Sequence, residues 1–438
     1  MPLPNASPMP ASLEKQHLVL FFYVVTIAAL ALSPFLLSVG MISLAVLSLI
    51  RFRVGRREFR VAIDREAIRR MLRIWQYPPF VAITLFFFLV LLSFWQTEDY
   101  SYWLARLRIK VPFLALPLVF LGHPRLEERQ WLGLLYFLLV LMFVTAIGVA
   151  INYGVHYEEI QLMLKQGQPM PTPRNHIRYS LLLALGVVSG GYLYSRGYFL
   201  RYARERHFIL GATLFLFVFI HLLSVRSGIL ALYAALFLLL ARYILVSRRY
   251  GWGLALLAAL AAMPAAAYLL VPSFRAKVDY MRWGLIKYQE GEGADYSDTG
   301  RLVSMKVGWV LARQHPVFGV GAGNLNQEVK RVFDQSYPQL PEPLVPHNQF
   351  LFVLAGTGAA GLLLFLFALF HPLFYRRNYR HPFLLGFYGV VLAAFLIEHF
   401  IENSTGVGFF AFFLLLFLNV GREATERPFF CSSKKSLR

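Results

Sequence analysis

Long apolar runs recur along the whole sequence, and they constrain the fold more than any other feature. They fall at about 18–33, 35–50, 79–95, 103–121, 131–151, 179–195, 208–224, 228–246, 252–271, 349–370, 383–401 and 405–420. About 20 apolar residues in a helix cross the hydrocarbon core of a bilayer, and a helix satisfies its own backbone groups there. The sequence therefore predicts an all-α polytopic membrane protein with about twelve transmembrane helices.

Composition supports a membrane protein over a soluble one. The chain is 58% hydrophobic and only 15% charged, whereas soluble domains carry about 25% charged residues. In a soluble chain, a formal charge of +20 would suggest nucleic acid as the binding partner. Here the basic residues lie between apolar runs, so we expect membrane lipids and no nucleic acid as partners. The single cysteine, Cys431, excludes an intramolecular disulfide and a cysteine-based metal cluster.

Basic residues also predict the orientation of the helices. They concentrate in alternate connections, with nine arginines between Arg51 and Arg73, and cytoplasmic loops retain such residues. Both termini are therefore expected in the cytoplasm, with the segments 152–178 and 272–348 on the opposite face. We divide the chain into helices one to nine, a large loop, helices ten to twelve and a cytoplasmic tail, at residues 1–271, 272–348, 349–420 and 421–438.

The large loop is the only connection long enough to build structure outside the bilayer. Its segment Leu302–Arg313 has apolar residues at helical spacing, which predicts an amphipathic helix that lies on the membrane or caps a cavity. The glycines of the following segment, Gly319, Gly321 and Gly323, permit the backbone to turn sharply or to approach a ligand closely.

Three ionisable residues near predicted helix ends are candidates for chemistry, because such residues are costly at membrane depth. Arg226 lies between two apolar helices on the non-cytoplasmic side, Arg301 begins the amphipathic helix, and His347 precedes helix ten. For each of them the sequence also leaves open a role without any part in catalysis. Arg226 could extend to lipid headgroups, Arg301 could be a hydrated loop residue, and His347 could be a general base or only a hydrogen-bond donor.

Further polar residues cluster beside these candidates. Arg174, His176 and Arg178 precede helix six, and Asn348 follows His347. The three basic residues could bind substrate or form a basic collar at the interface. No HExxH motif, DxD pair or carboxylate cluster occurs, so we expect no metal and no cofactor. Arginine pairs instead suit a diphosphate, whose oxygens they bind in a bidentate way.

The residues that carry these features resemble the O-antigen ligase and O-antigen polymerase superfamily. The resemblance rests on SVRSGILALYAALFLL, on TGRLVSMKVGWVLARQHPVFGVGAGNLNQEV and on HNQFLFVLAGTGAAGLLLF, in that order. It covers about residues 178–370 in its motif-bearing part. It implies a GT-C-like membrane glycosyltransferase whose large loop is periplasmic, and it carries the family's important arginines and histidine onto Arg226, Arg301 and His347.

The resemblance also implies a reaction. Ligases of this superfamily transfer O-antigen polysaccharide from undecaprenyl diphosphate to a sugar hydroxyl of lipid A-core, at the periplasmic face of the bacterial inner membrane, without metal or ATP. We expect Arg226 and Arg301 to hold the diphosphate and His347 to act on the acceptor hydroxyl. Arg174, His176, Arg178 and Asn348 are expected to bind substrate.

Three other functions stay open at this point. An O-antigen polymerase would use the same donor on both sides of the reaction, and a protein O-oligosaccharyltransferase would transfer the glycan to a folded protein. A transporter is the alternative outside the enzymes. Transporters commonly show repeated halves with polar residues at the midplane, whereas the polar residues here collect at one face.

Overall fold

The structure, a computed structural model, describes residues 11–54, 59–290, 297–338 and 342–421, and these are mostly helical. The α-helices of the described residues are α1 Ala11–Leu32, α2 Pro34–Leu49, α3 Arg65–Leu72, α4 Pro78–Leu91, α5 Tyr100–Gly122, α6 Glu128–Val155, α7 Tyr157–Lys165, α8 His176–Ser195, α9 Glu205–Leu223, α10 Arg226–Ser247, α11 Tyr250–Leu270, α12 Pro272–Gln289, α13 Ser297–Gln314, α14 Leu325–Ser336, α15 Gln349–Phe374, α16 Pro382–Ile397 and α17 Ser404–Val420.

The polytopic membrane fold is confirmed. Each predicted apolar run coincides with a helix. Among the described residues, eight helical segments are long and apolar enough to cross a bilayer, namely α1, α4 with the 3-10 turn Leu92–Gln96 that continues it, α6, α8, α9, α10, α11 and α15. The apolar helices α2, α16 and α17 are shorter. The helix α5 carries Arg106, Arg108 and Lys110 within its length. The side of the membrane on which each connection lies remains a prediction.

A β-hairpin departs from the predicted all-helical pattern. The strands β1 Ile50–Val54 and β2 Phe59–Ile63 pair antiparallel, with Ile50 opposite Ile63. In both strands apolar residues alternate with arginine or alanine, and this period of two is typical of a strand. From the sequence, these arginines predicted only that this connection lies on the cytoplasmic side, and the strands were not predicted.

The core of the membrane domain is built around α17. Nearly every residue of this helix is buried, and its Phe410 lies beside Phe86 of α4, with ring centroids 5.5 Å apart. Phe86 also contacts Phe113 of α5 and Phe365 of α15, at 4.9 and 5.2 Å. Because lipid offers apolar contacts of its own, close packing of this kind holds membrane helices together.

The described residues of the large loop form three helices, α12, α13 and α14. The predicted amphipathic helix at Leu302–Arg313 is confirmed as part of α13. Its apolar stripe, which includes Val303, Val307 and Leu311, is buried against α14 and against Phe352 of α15. The stripe therefore packs on protein. We call the side of the molecule that carries α7 and α12–α14 the loop face.

The glycine-rich segment after α13 docks into a break in α15. Gly358 interrupts α15 with a φ of 65°, and a Cβ atom on Gly319 would lie 2.4 Å from the Thr357 nitrogen. Four backbone hydrogen bonds join the segments, from Val320 N to Ala355 O (3.0 Å), Gly321 N to Gly356 O (2.9 Å), Ala359 N to Pro316 O (2.8 Å) and Ala360 N to Val317 O (3.1 Å). The close approach that these glycines permit is thus to a helix of the protein itself.

Candidate active site

His347, just before α15, is held in place by one hydrogen bond of its backbone N–H and one of its imidazole ring. Its N–H donates to Ser304 Oγ of α13 at 3.2 Å, and its Nδ1 lies 3.1 Å from the Val345 carbonyl oxygen. Because a carbonyl can only accept, this contact places the ring proton on Nδ1. The Nε2 atom of a neutral His347 is then the acceptor nitrogen, which is the form that a general base needs.

Asn348 has a structural role beside it. Its Oδ1 accepts from Leu351 N at 3.0 Å and so caps α15, while its Nδ2 donates to the Leu396 carbonyl of α16 at 3.0 Å. These bonds join the start of α15 to the end of α16 and bring His347 next to the residues that follow α16. Contact of Asn348 with substrate stays a prediction.

Arg301 and Glu398 form an ion pair next to His347. Arg301 Nη2 lies 2.9 Å from Glu398 Oε1, and the side chains are 31% and 15% exposed. The charges of both residues act on the His347 imidazole, Glu398 raising its pKa and Arg301 lowering it. Two of the predicted catalytic residues, Arg301 and His347, therefore lie close together, and the carboxylate of Glu398, which was not among the predicted residues, lies beside them.

His399 completes this cluster, and we call Arg301, His347, Glu398 and His399 together the His347 group. Its ring lies perpendicular to that of His347, with centroids 5.0 Å apart. Burial, and after it the charge of the neighbouring His347, lowers the pKa of His399 to about 4. Its Nδ1 is buried without a hydrogen-bond partner among the described residues. Burial is also the largest influence on His347 and lowers its pKa from the usual 6.5. Both imidazoles are therefore neutral at neutral pH.

Arg178 approaches the same group from α8. The N-cap residue Asn175 accepts from the Arg178 N–H at 3.3 Å and fixes the first turn of α8. The Arg178 side chain donates from Nε to Asn403 Oδ1 at 3.1 Å. It is close enough to Glu398 and His399 for its charge to act on both. Arg178 thus lies at the edge of the His347 group, as its predicted role in substrate binding requires.

The two other basic residues near the start of α8, Arg174 and His176, differ from Arg178. Arg174 donates to the Leu30 carbonyl of α1 at 3.3 Å and to Thr405 Oγ1 of α17 at 2.6 Å, so its guanidinium ties two membrane helices together. His176 is half-buried among the positive charges of Lys277, Arg301 and Arg178. His176 therefore lies within the basic region, whereas the Arg174 bonds are structural.

Arg226 lies at a neighbouring cavity. It is the first residue of α10, its side chain is exposed, and it lines a cavity of about 320 Å³ together with Tyr233, Lys277 and apolar side chains of α10 and α12. Lys277 is also close enough to His176 for its charge to act on that imidazole, as the charges of Arg301 and Arg178 do. The structure thus places Arg226 with Lys277, and we call Arg226, Lys277, His176, Arg178 and Arg301 together the basic path.

A buried ionic network lies under the site. Glu402 accepts from Lys110 Nζ at 2.7 Å and from Gln349 Nε2 at 2.7 Å, and it pairs with Arg106. Burial alone would raise the pKa of Glu402, but the charges of Lys110 and Arg106 outweigh it and hold that pKa well below its usual value. The network ties the connection 398–403 to α5 and α15, and so holds the two sides of the His347 group in place.

Four residues of this region escaped the sequence analysis: Glu398, His399, Glu402 and Lys277. A signal for the first three was present, because IEHFIEN places three ionisable residues between two apolar runs. Ionisable residues at membrane depth are usually functional. Lys277 gave no comparable signal, since it lies in a loop with many charged residues.

The group His347, Glu398 and His399 could also hold a metal ion. One ligand atom from each residue lies within 4.8 Å of the others, and imidazole with carboxylate suits zinc. Arg301 already occupies one oxygen of Glu398, and a neighbouring guanidinium opposes the binding of a cation. The donor set is compatible with a metal, while its surroundings are those of an anion site.

Comparison with known proteins supports the resemblance found in the sequence. Residues 211–366, just over a third of the chain, match a family model described as O-antigen ligase. This segment includes Arg226, Arg301 and His347. No curated protein sequence matches the chain. The match supports, at the level of the superfamily of O-antigen ligases and polymerases, an enzyme with a role in O-antigen transfer.

Proposed function

We propose that the protein transfers O-antigen polysaccharide from undecaprenyl diphosphate to a sugar hydroxyl of lipid A-core, at the periplasmic face of the bacterial inner membrane. The observation that carries the proposal is the neutral His347, with its Nε2 available as acceptor, beside the cations Arg301 and Arg178. A base for a hydroxyl and fixed cations for a phosphate are what this transfer needs. In this orientation the loop face is periplasmic.

The donor's diphosphate would bind along the basic path. Arg301 belongs to the His347 group and Arg178 borders it, while Arg226 and Lys277 line the adjoining cavity, whose walls are otherwise mostly apolar. Such a cavity suits the junction of a polyprenyl chain with its diphosphate. Guanidinium groups keep their charge at any physiological pH and bind phosphate oxygens in pairs.

The reaction then follows from the positions of these groups. The acceptor hydroxyl gives its proton to His347 Nε2 while its oxygen bonds to the anomeric carbon of the donor sugar. The bond from that carbon to the phosphate oxygen breaks, and the electron pair leaves with the diphosphate, whose growing negative charge Arg301 and Arg178 stabilise. Attack opposite to the leaving group inverts the anomeric centre.

Glu398 has two functions in this scheme. Its ion pair holds the Arg301 guanidinium in place before substrate binds. Its negative charge also raises the pKa of His347 against the effect of burial, and so favours the imidazolium that forms when the proton arrives. Glu398 acts through its neighbours and is a positioning residue.

Transfer with purified components tests the proposal. The reaction contains undecaprenyl diphosphate-linked O-antigen, lipid A-core and excess chelator, without ATP, and it compares the wild type with His347→Ala and Arg301→Ala. His315→Ala is the matched control, because His315 is exposed just beyond the end of α13. We expect a ladder on lipid A-core for the wild type and the control, and at least a hundredfold slower transfer for the other two.

Other outcomes separate the alternatives. Lengthening of the donor glycan without modification of lipid A-core would show a polymerase, and the phosphate-binding part of the scheme would still hold. Modification of an added protein acceptor would show a protein O-oligosaccharyltransferase. Full activity of His347→Ala would contradict the assignment of the base.

A further inference from the structure

An open cleft lies between α7 and α12 at the loop face, outside the His347 group. Its volume is about 880 Å³, within the range of about 300–1,000 Å³ that is typical of ligand pockets. Its lining includes three aromatic side chains, those of Tyr157, Tyr280 and Trp283, and five polar ones, those of Glu158, Gln161, Lys165, Arg275 and Asp279. The proposed chemistry at His347 uses none of them.

The walls of this cleft are fixed to each other. Lys277 Nζ of α12 donates to the carbonyl oxygens of Gly167 and Gln168, just after α7, at 2.6 and 2.7 Å. Gly167 has a φ of +82°, and a Cβ atom there would lie 2.3 Å from Cζ of Tyr280. A glycine is thus required for the turn to pack on the Tyr280 ring, and the cleft exists before a ligand binds.

The lining suits a saccharide. A pyranose ring presents apolar C–H faces and a rim of hydroxyl groups, so aromatic rings with carboxylates and amides between them can bind both parts. Trp283 is 52% exposed and Tyr157 is 45% exposed. Gln161 is buried and donates to the Tyr153 hydroxyl at 2.5 Å, which fixes its amide. The carboxylates of Glu158 and Asp279 make the same cleft unfavourable for a lipid chain.

The position of α12 links this cleft to the proposed donor site. Phe274, Lys277, Val278 and Met281 follow helical spacing and line the Arg226 cavity, whereas Asp279, Tyr280 and Trp283 line the cleft. One helix therefore separates an anion-binding cavity from an aromatic cleft. A glycan whose diphosphate lies in the Arg226 cavity could therefore reach the cleft by passing this one helix.

We propose that the cleft between α7 and α12 is a saccharide subsite, which binds sugar residues of a glycan chain remote from the bond that is made or broken. The proposal rests on the function proposed above. Two sources of the same chemistry exist, the polysaccharide of the donor and the oligosaccharide of the acceptor. Binding there would position a long glycan without contact with the reacting atoms.

Transfer kinetics of Trp283→Ala test the subsite. Trp252→Ala is the matched control, because Trp252 is also exposed and lies at the opposite end of α11 from α12. Two donors are compared, one with a complete O-antigen chain and one with a single sugar on undecaprenyl diphosphate. If the cleft binds the donor glycan, Trp283→Ala raises KM at least about fivefold for the long donor and leaves KM of the short donor unchanged.

The other outcomes are equally distinct. A rise in KM for lipid A-core with both donors would assign the cleft to the acceptor. Equal KM values for Trp283→Ala and Trp252→Ala with every substrate would overturn the proposal. Trp283→Phe, which keeps an aromatic ring, should restore most of the affinity if stacking is responsible.

A binding measurement separates this proposal from the proposed function. Saturation-transfer NMR with free O-antigen oligosaccharide, released from lipopolysaccharide by mild acid, needs no catalysis. If the wild type transfers nothing but binds this probe, and Trp283→Ala does not bind it, the ligase assignment fails while the subsite stands. Binding that is absent in the wild type, or unchanged in Trp283→Ala, overturns the subsite.

Discussion

Replacing Glu402 by glutamine is expected to destabilise the protein by about 3–5 kcal/mol, the usual cost of removing one partner from a buried ion pair. Lys110 and Arg106 share this carboxylate, and the side chains of Lys110 and Glu402 are each only 4% exposed. A glutamine keeps the shape and one acceptor oxygen but leaves two cations without their counter-charge. The contact from Gln349 Nε2 to the Glu402 carboxylate, 2.7 Å long, is weakened as well.

The assay is denaturant unfolding of the purified protein in detergent, and the exposed pair of Arg196 and Glu128 supplies the control. Their side chains are 46% and 55% exposed, so Glu128→Gln should change the free energy of unfolding by less than about 1 kcal/mol. The double variant of Glu402→Gln with Lys110→Met should lose less than the sum of the two single changes, because fewer charges are left unpaired. A loss below about 1 kcal/mol for Glu402→Gln would refute the reasoning.

The site makes three further predictions. The rate of transfer should fall only as the pH drops below 6.5, because burial lowers the pKa of His347. In Glu398→Gln this fall should shift to lower pH, since a charge that raises the pKa of His347 is lost, and a shift to higher pH in the pH-rate profile would contradict this. Zinc should leave the rate of transfer unchanged, because the Arg301 guanidinium opposes the binding of a cation at His347, Glu398 and His399. Inhibition by zinc that a chelator reverses would contradict this. Gly358→Ala should lower the free energy of unfolding by about 2 kcal/mol or more, because a Cβ there would lie 2.3 Å from backbone atoms of Val317. Gly211→Ala is the control and should not lower the free energy of unfolding in this way, because a Cβ at Gly211 would meet open space.

The sequence predicted where the helices lie better than it predicted which helices pack against each other. Apolar runs locate helices because the length of a helix in lipid is set by the bilayer, and α13 was predicted from the spacing of its apolar residues alone. The short strands β1 and β2 were missed, since each has only five residues. Their alternating pattern covers only a few residues, whereas the apolar runs that predict the neighbouring helices are much longer.

The site was predicted in part, and the limit has a physical cause. Arg301, His347 and Arg178 lie on three different helices or their ends, and only the packing of α8, α13 and α15 decides that they meet. The same packing places Arg226 beside Lys277. A sequence gives the type of each residue and its depth, but it does not give the direction in which a helix turns its side chains.

The break in α15 also constrains how the protein is assembled in the membrane. The N–H groups of Ala359 and Ala360 are satisfied by carbonyl oxygens of residues 316 and 317, which lie outside the helix. Within lipid, an unsatisfied backbone group costs several kcal/mol. Inserted by itself, α15 would therefore carry unpaired donors in the bilayer. We therefore expect stable insertion of α15 to depend on residues 316–321, which precede it in synthesis and supply the acceptors for its unpaired N–H groups.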